Sequence, residues 1–177
     1  WAFPNFIIAV YLVAVFGTSR LVARFFLSWV MIWVLLGMVV AHLLPSAGPI
    51  FGPDLGFGFE GLHRELRGTL AMHFHQMLWD MRIAHNSDLG GGISAMPSMH
   101  CALTSLLVAM AWRTRWRGVA LAYAATIWFG SVYLGWHYAL DGLVSFVGVA
   151  LIWRLASVVA EIRLPAFPRG SERPGWA

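Results

Sequence analysis

Three polar residues stand at the edges of long apolar runs: His100, His137 and Asp141. The segment Pro97-Ser98-Met99-His100 opens one run, and His137-Tyr138-Ala139-Leu140-Asp141 joins two others. Ionisable groups at such places are expensive beside lipid, which makes them functional candidates by default. Between the runs lies Arg113-Thr114-Arg115-Trp116-Arg117, a cationic loop that reads as the turn of a hairpin. A hairpin returns its open ends to one side, so His100 and His137 are expected to meet there.

Each segment suggests a part of one chemistry. Proline is favoured at the first position of a helix. If Pro97 starts one, the amides of Ser98, Met99 and His100 lack intrahelical acceptors and, with the helix dipole, form an anion site suited to phosphate. The Ser98 hydroxyl adds a donor, and Gly90-Gly91-Gly92 lets backbone approach closely. The plainer reading of this segment is a helix cap. In the second segment Asp141 lies four residues after His137, on the same helix face. It is expected to bond one ring nitrogen, fix the tautomer and leave the other as base or nucleophile. The plainer reading there is a polar pair stitching a helix end. Together the parts make a phosphoryl-transfer constellation that calls for no metal and no cofactor. His73 and His75 invite a metal reading, but residues two apart on a helix point to different faces, and no third ligand is evident. His63 and His85 are expected to be solvated, and His42 buried near the outer rim.

The positioning elements follow from the apolar blocks. Of the 177 residues, 59% are hydrophobic and 11% charged, against about 25% charged in soluble domains. The fold class expected is an all-α polytopic membrane bundle. Phe3–Gly17 is short for a span, whereas Phe25–Leu44 supplies the roughly 20 apolar residues a crossing needs. Further spans are expected from Pro97 to Trp112, Gly118 to Trp136 and Tyr138 to Val159. Five spans are visible, and six are expected in an intact protein, because a cytoplasmic N-terminus would need one more span upstream; the chain begins at Trp1 in the manner of a fragment or a processed chain. Residues 1–163 are expected to form one membrane domain, with 97–159 as its catalytic helices and Leu164–Ala177 as a frayed tail. Pro45–Met96 is broken by prolines and glycines. Leu62, Leu66, Leu70, Phe74, Met77 and Met81 recur in it at helical spacing, which predicts amphipathic helices capping the bundle along the membrane surface. The hairpin poses one geometric problem. At about 1.5 Å per residue, Arg117–His137 rises higher than His100–Arg113. The second helix must tilt, or end near Tyr133 and turn back through Gly135.

All 12 basic residues are arginine, and nine of them fall on one side of a five-span arrangement with only Glu161 and Glu172 as acids. The opposite loop has three arginines against five acids. The positive-inside rule puts the nine-arginine side in the cytoplasm and the two histidines outside. Arginines scattered through short loops between apolar runs are no nucleic-acid signature, so membrane lipids are the partners expected. The single cysteine, Cys101, excludes an intramolecular disulfide.

Pro97-Ser98-Met99-His100 followed by His137-xxx-Asp141 resembles the second and third signature motifs of the type-2 phosphatidic acid phosphatase superfamily, over about Leu44 to Ser157. The resemblance implies a six-helix membrane enzyme. In it the residue matching His137 attacks phosphorus, Asp141 orients that histidine, His100 protonates the leaving alcohol and Ser98 binds phosphate. Met99 stands where the family usually has glycine, Ser131 where it has an arginine, and the first motif is not evident. These departures resemble the inositol phosphorylceramide synthase branch of phosphotransferases. Arg82, with Arg64 and Arg67, is then the candidate to neutralise phosphate, and Met99 joins Ser98 in the substrate-binding set. The function expected is a lipid phosphate phosphatase working through phosphohistidine. A phosphotransferase is the alternative, and a haem protein using His42, His100 or His137 as axial ligands is the remote one.

Overall fold

Threonine 18 starts the first long helix by accepting the Leu21 amide on its side chain, which satisfies one of the donors a helix start leaves open. In this computed structural model, which describes residues 7, 9–13, 15, 17–84 and 94–163, every regular element is helical. Residues 7–15 are helical where described. Helix α1 (Ser19–Met31) runs into a wider π-helical stretch (Ile32–Val40) and a last α turn (Ala41–Leu43). A 3-10 turn (Pro49–Phe51) follows, then α2 (Gly52–Leu55), α3 (Glu60–Glu65) and α4 (Leu70–Ile83). Helices α5 (Met99–Ala111), α6 (Arg117–Tyr133) and α7 (Ala139–Arg163) complete the described residues. The expected glycine turn 90–92, His85, Asp88 and the tail Leu164–Ala177 lie outside the described residues.

Helix α7 shows how the bundle is sided. Ser145, Val149, Ile152, Ala156 and Ala160 are buried, at helical spacing. On the other face Leu140, Leu143, Val147, Leu151, Leu155 and Val158 stand open at spacings of three or four. Such a continuous exposed apolar stripe is foreign to a water-facing surface and matches a lipid-facing one. The buried face meets Phe25, Ile32 and Leu36 of the first helix and Ala102 and Leu106 of α5. Where lipid is the solvent, helices associate through close packing and not through water exclusion, so small residues at the contacts matter. A side chain on Gly148 would run into Leu36, and one on Gly142 into the Trp128 indole. Arg24 adds a polar clamp, donating through Nε to the Trp153 carbonyl at 3.0 Å with its guanidinium 3.9 Å over that indole ring.

By length and composition two helices can cross a membrane, Arg20–Leu43 and Ala139–Ala160, and Met99–Ala111 is a shorter apolar helix. The segment after Pro45 forms several short helices with their own core of Ile50, Phe51 and Leu66. Its expected apolar face divides. Gly68, at φ 78°, and the Thr69 cap separate α3 from α4, so one helical phase does not run through. Leu62 and Leu66 pack with Ile50 and Phe51, whereas Leu70, Phe74 and Met77 are exposed on α4. The inner face of α4 is Ala71, His75, Leu78 and Trp79.

Candidate active site

The hairpin problem resolves through the shorter helix. Helix α6 ends at Tyr133, and Gly135 adopts φ 73°, a left-handed conformation open to glycine at little cost. The amides of Trp136 and His137 then fold back onto the Ser131 carbonyl at 3.0 and 3.2 Å. Ser131, at the family's arginine position, thus closes the turn that carries His137. The segment around the 3-10 turn braces this corner. The Ile50 amide donates to the Gly135 carbonyl at 2.8 Å, and Phe51 packs edge-on to Trp136 with ring centroids 5.9 Å apart. Gly48 lies so close to the Trp136 carbonyl that any side chain there would collide with it.

The returning corner brings the two histidines together. Their ring centroids are 5.7 Å apart, at 67° to one another. His100 is exposed, whereas His137 is 7% exposed. The His137 Nδ1 atom lies 2.7 Å from the Ala95 carbonyl oxygen. A carbonyl can only accept, so Nδ1 carries the proton, and the neutral ring keeps its lone pair on Nε2. Here the structure corrects an expectation. The Asp141 carboxylate is 3.7 Å from Nδ1, beyond hydrogen-bond distance, and instead accepts the Tyr138 amide at 2.7 Å. Asp141 caps the start of α7 and supplies charge next to the imidazole, while the Ala95 carbonyl sets the tautomer. Burial pushes the His137 imidazole below its ordinary range, against the upward pull of the Ala95 carbonyl and the Asp141 carboxylate.

The start of α5 also differs in register from the expectation. Pro97 is not the first helical residue. Ser98 has extended backbone, φ −71° and ψ 109°, and caps α5 by accepting the Cys101 amide on Oγ at 3.4 Å. The first two helical donors are therefore the amides of Met99 and His100. The Ser98 amide instead points to the Asp141 carbonyl at 3.4 Å. Ser98 is fully buried with its hydroxyl capping α5, and the Met99 side chain lies against the helix holding Gly37 and Trp33. Arg82 is exposed on the last turn of α4, and no described contact ties it to either histidine; Arg64 and Arg67 are exposed as well. His42, expected to be buried, is exposed, and His63, expected to be solvated, bonds the Ile50 carbonyl at 2.6 Å.

Sequence reasoning missed two positioning residues. Ser145 Oγ lies 2.8 Å from both the Ser98 and the Asp141 carbonyls, fully buried, and so ties the first turn of α7 to the start of α5. Its place four residues after Asp141 was the available signal. Ala95 gave none, because it acts through its backbone.

A backbone-oriented imidazole with Nε2 unprotonated, a second histidine facing it and a helix N-terminus alongside can form, and then discharge, a phosphohistidine. No curated protein and no solved structure matches the chain. The family model of the PAP2 superfamily matches residues 2–155, across both histidine motifs. The chain belongs to the PAP2 superfamily, the type-2 phosphatidic acid phosphatases.

Proposed function

We propose that this protein is a multi-pass membrane enzyme that removes phosphate from a lipid by double displacement at His137. The observation that carries the reading is the His137 ring, whose Nδ1 is committed to the Ala95 carbonyl while the ring faces His100. In the first step Nε2 forms a bond to phosphorus and the phosphorus–alkoxide bond breaks. This step requires His100 to enter it protonated, so that it gives its proton to the departing oxygen. In the second step His100, now neutral, takes a proton from water as that water attacks phosphorus. The phosphorus–Nε2 bond breaks, and the electron pair returns to the ring. The Met99 and His100 amides at the start of α5 receive the equatorial oxygens, and the positive helix end favours their charge. Asp141, 3.7 Å from Nδ1, offsets the positive charge of the phosphorylated imidazole. Arg82, Arg64 and Arg67 are the cap cations available to an approaching phosphate.

Hydrolysis and transfer differ only in whether water or a lipid alcohol attacks the phosphohistidine. Serine in place of the third-motif arginine favours the transfer branch as the second reading. The test is the purified protein in detergent, offered phosphatidic acid, prenyl diphosphates, and phosphatidylinositol with candidate acceptor alcohols. Release of free phosphate, inhibited by orthovanadate as a mimic of five-coordinate phosphorus, is the expected result. A phosphorylated lipid product without free phosphate would assign transfer. No product on any lipid, together with a Soret band, would replace the enzyme reading with haem binding.

The same proposal places the site outside the cytoplasm, with five spans and the cap on the outer membrane surface, supported by the nine-arginine bias. Cysteine placed at Arg115 should be labelled by an impermeant reagent only from the cytoplasmic side, and cysteine at Arg67 only from outside. The native Cys101 is fully buried and should stay silent. The reversed labelling pattern would move the active site to the cytoplasmic face.

A further inference from the structure

The cap gathers three metal-ligating side chains that the phosphoryl chemistry does not use. Asp54 of α2, His63 of α3 and His75 of α4 place one ligand atom each within 4.8 Å of one another. The Asp54 Oδ2 atom is 2.9 Å from His75 Nε2 and 3.9 Å from His63 Nε2. Tetrahedral coordination with bonds of about 2.0–2.1 Å sets ligand atoms roughly 3.3 Å apart, between those two values. His75 is 4% exposed, and its Nδ1 has no hydrogen-bond partner, so its one polar contact is this cluster. The Asp54 side chain is 25% exposed, which gives an ion a route in and water a place as the fourth ligand. Helical spacing alone set His73 and His75 on different faces and left His75 without co-ligands; the fold supplies them from two other helices.

We infer that Asp54, His63 and His75 form a binding site for a divalent transition metal of the zinc type, which staples the cap. Two imidazoles and a carboxylate suit such a cation better than calcium or magnesium, which prefer all-oxygen shells. On binding, the metal takes the Nε2 lone pairs of both histidines and one Asp54 oxygen. Each ring then carries its proton on Nδ1, and His63 gives up its bond to Ile50. The role is structural. Helices α2 and α3, of four and six residues, are too short to hold their shape alone. The cap core is small, so a cross-link among three helices counts for much. His75 packs on Phe51 with ring centroids 4.9 Å apart, and Phe51 packs on Trp136, the neighbour of His137. The ion would therefore steady the clamp over the catalytic corner without touching phosphate.

The test uses the full chain purified in detergent, stripped with a chelator and titrated with Co2+. The expected result is one equivalent bound with the strong visible absorption of four-coordinate cobalt, displaced by Zn2+, and a zinc-dependent rise in the thermal unfolding midpoint. His63→Gln and Asp54→Asn should each weaken binding by roughly 10²-fold or more, while exposed His73→Gln on the same helix leaves it unchanged. Wild-type protein that binds no cobalt, or binds it equally well after His63→Gln, overturns the proposal and leaves the trio a hydrogen-bonded cluster. Because binding and unfolding are read without substrate, this result stands apart from the fate of the phosphatase reading.

Discussion

His137→Ala should abolish both the acid-labile phosphoenzyme and turnover, with a loss on the order of 10⁶-fold, the scale for removing a covalent nucleophile. The expectation rests on Nε2 being the ring's unprotonated nitrogen, because Nδ1 donates to the Ala95 carbonyl. An activated aryl phosphate should not rescue this variant, since no leaving group compensates for a missing attacker. The pH profile follows from the same group. With its pKa lowered by burial, His137 is neutral at neutral pH, and its nucleophilic form is lost only as pH falls through that lowered value. The limb of the rate profile due to nucleophile protonation should therefore lie below the ordinary imidazole value of about 6.5. Asp141→Asn should be milder, roughly 10–10³-fold, because the carboxylate acts through charge at 3.7 Å while the tautomer is held by backbone. An asparagine oxygen can still accept the Tyr138 amide, so this variant should fold. Single-turnover kinetics with labelled substrate separate the cases. Phosphoenzyme formed by His137→Ala at the wild-type rate would remove His137 from the nucleophile's role.

His100→Ala should lose about 10²–10⁴-fold on lipid phosphates, the usual contribution of a general acid. On aryl phosphates its phosphorylation step should run near the wild-type rate, because a phenolate departs without a proton. The phosphoenzyme should then accumulate, since the water that discharges it lacks its base. His100 is exposed on the first turn of α5 with its ring facing His137, so its removal opens no core cavity and the helix cap at Ser98 survives. Comparing burst and steady-state phases on the two substrate types checks this. Rescue of His137→Ala by an aryl phosphate, and not of His100→Ala, would exchange the two roles.

The sequence alone displayed the two histidine motifs that the family model spans, and much of the helical frame. Long uncharged runs allow backbone groups to be satisfied only within helices, but both faces of α7 are apolar, so only packing shows which one is buried. The excess length of the Arg117–His137 segment allowed either a tilted helix or an early end near Tyr133 with a turn through Gly135, and the structure has the second. Tertiary structure decided everything that depends on backbone partners or on residues distant in sequence. Nothing in the identity of Ala95 says that its carbonyl will hold a histidine 42 positions away. That carbonyl accepts the Nδ1–H hydrogen bond in place of Asp141, whose spacing had implied it. The helix boundary at Ser98 depended on a tie to Asp141 and Ser145 that local propensity does not contain. The arrangement of Asp54, His63 and His75 was invisible for the same reason: helical spacing places a side chain on a face, but only the packing of three short helices decides what that face meets.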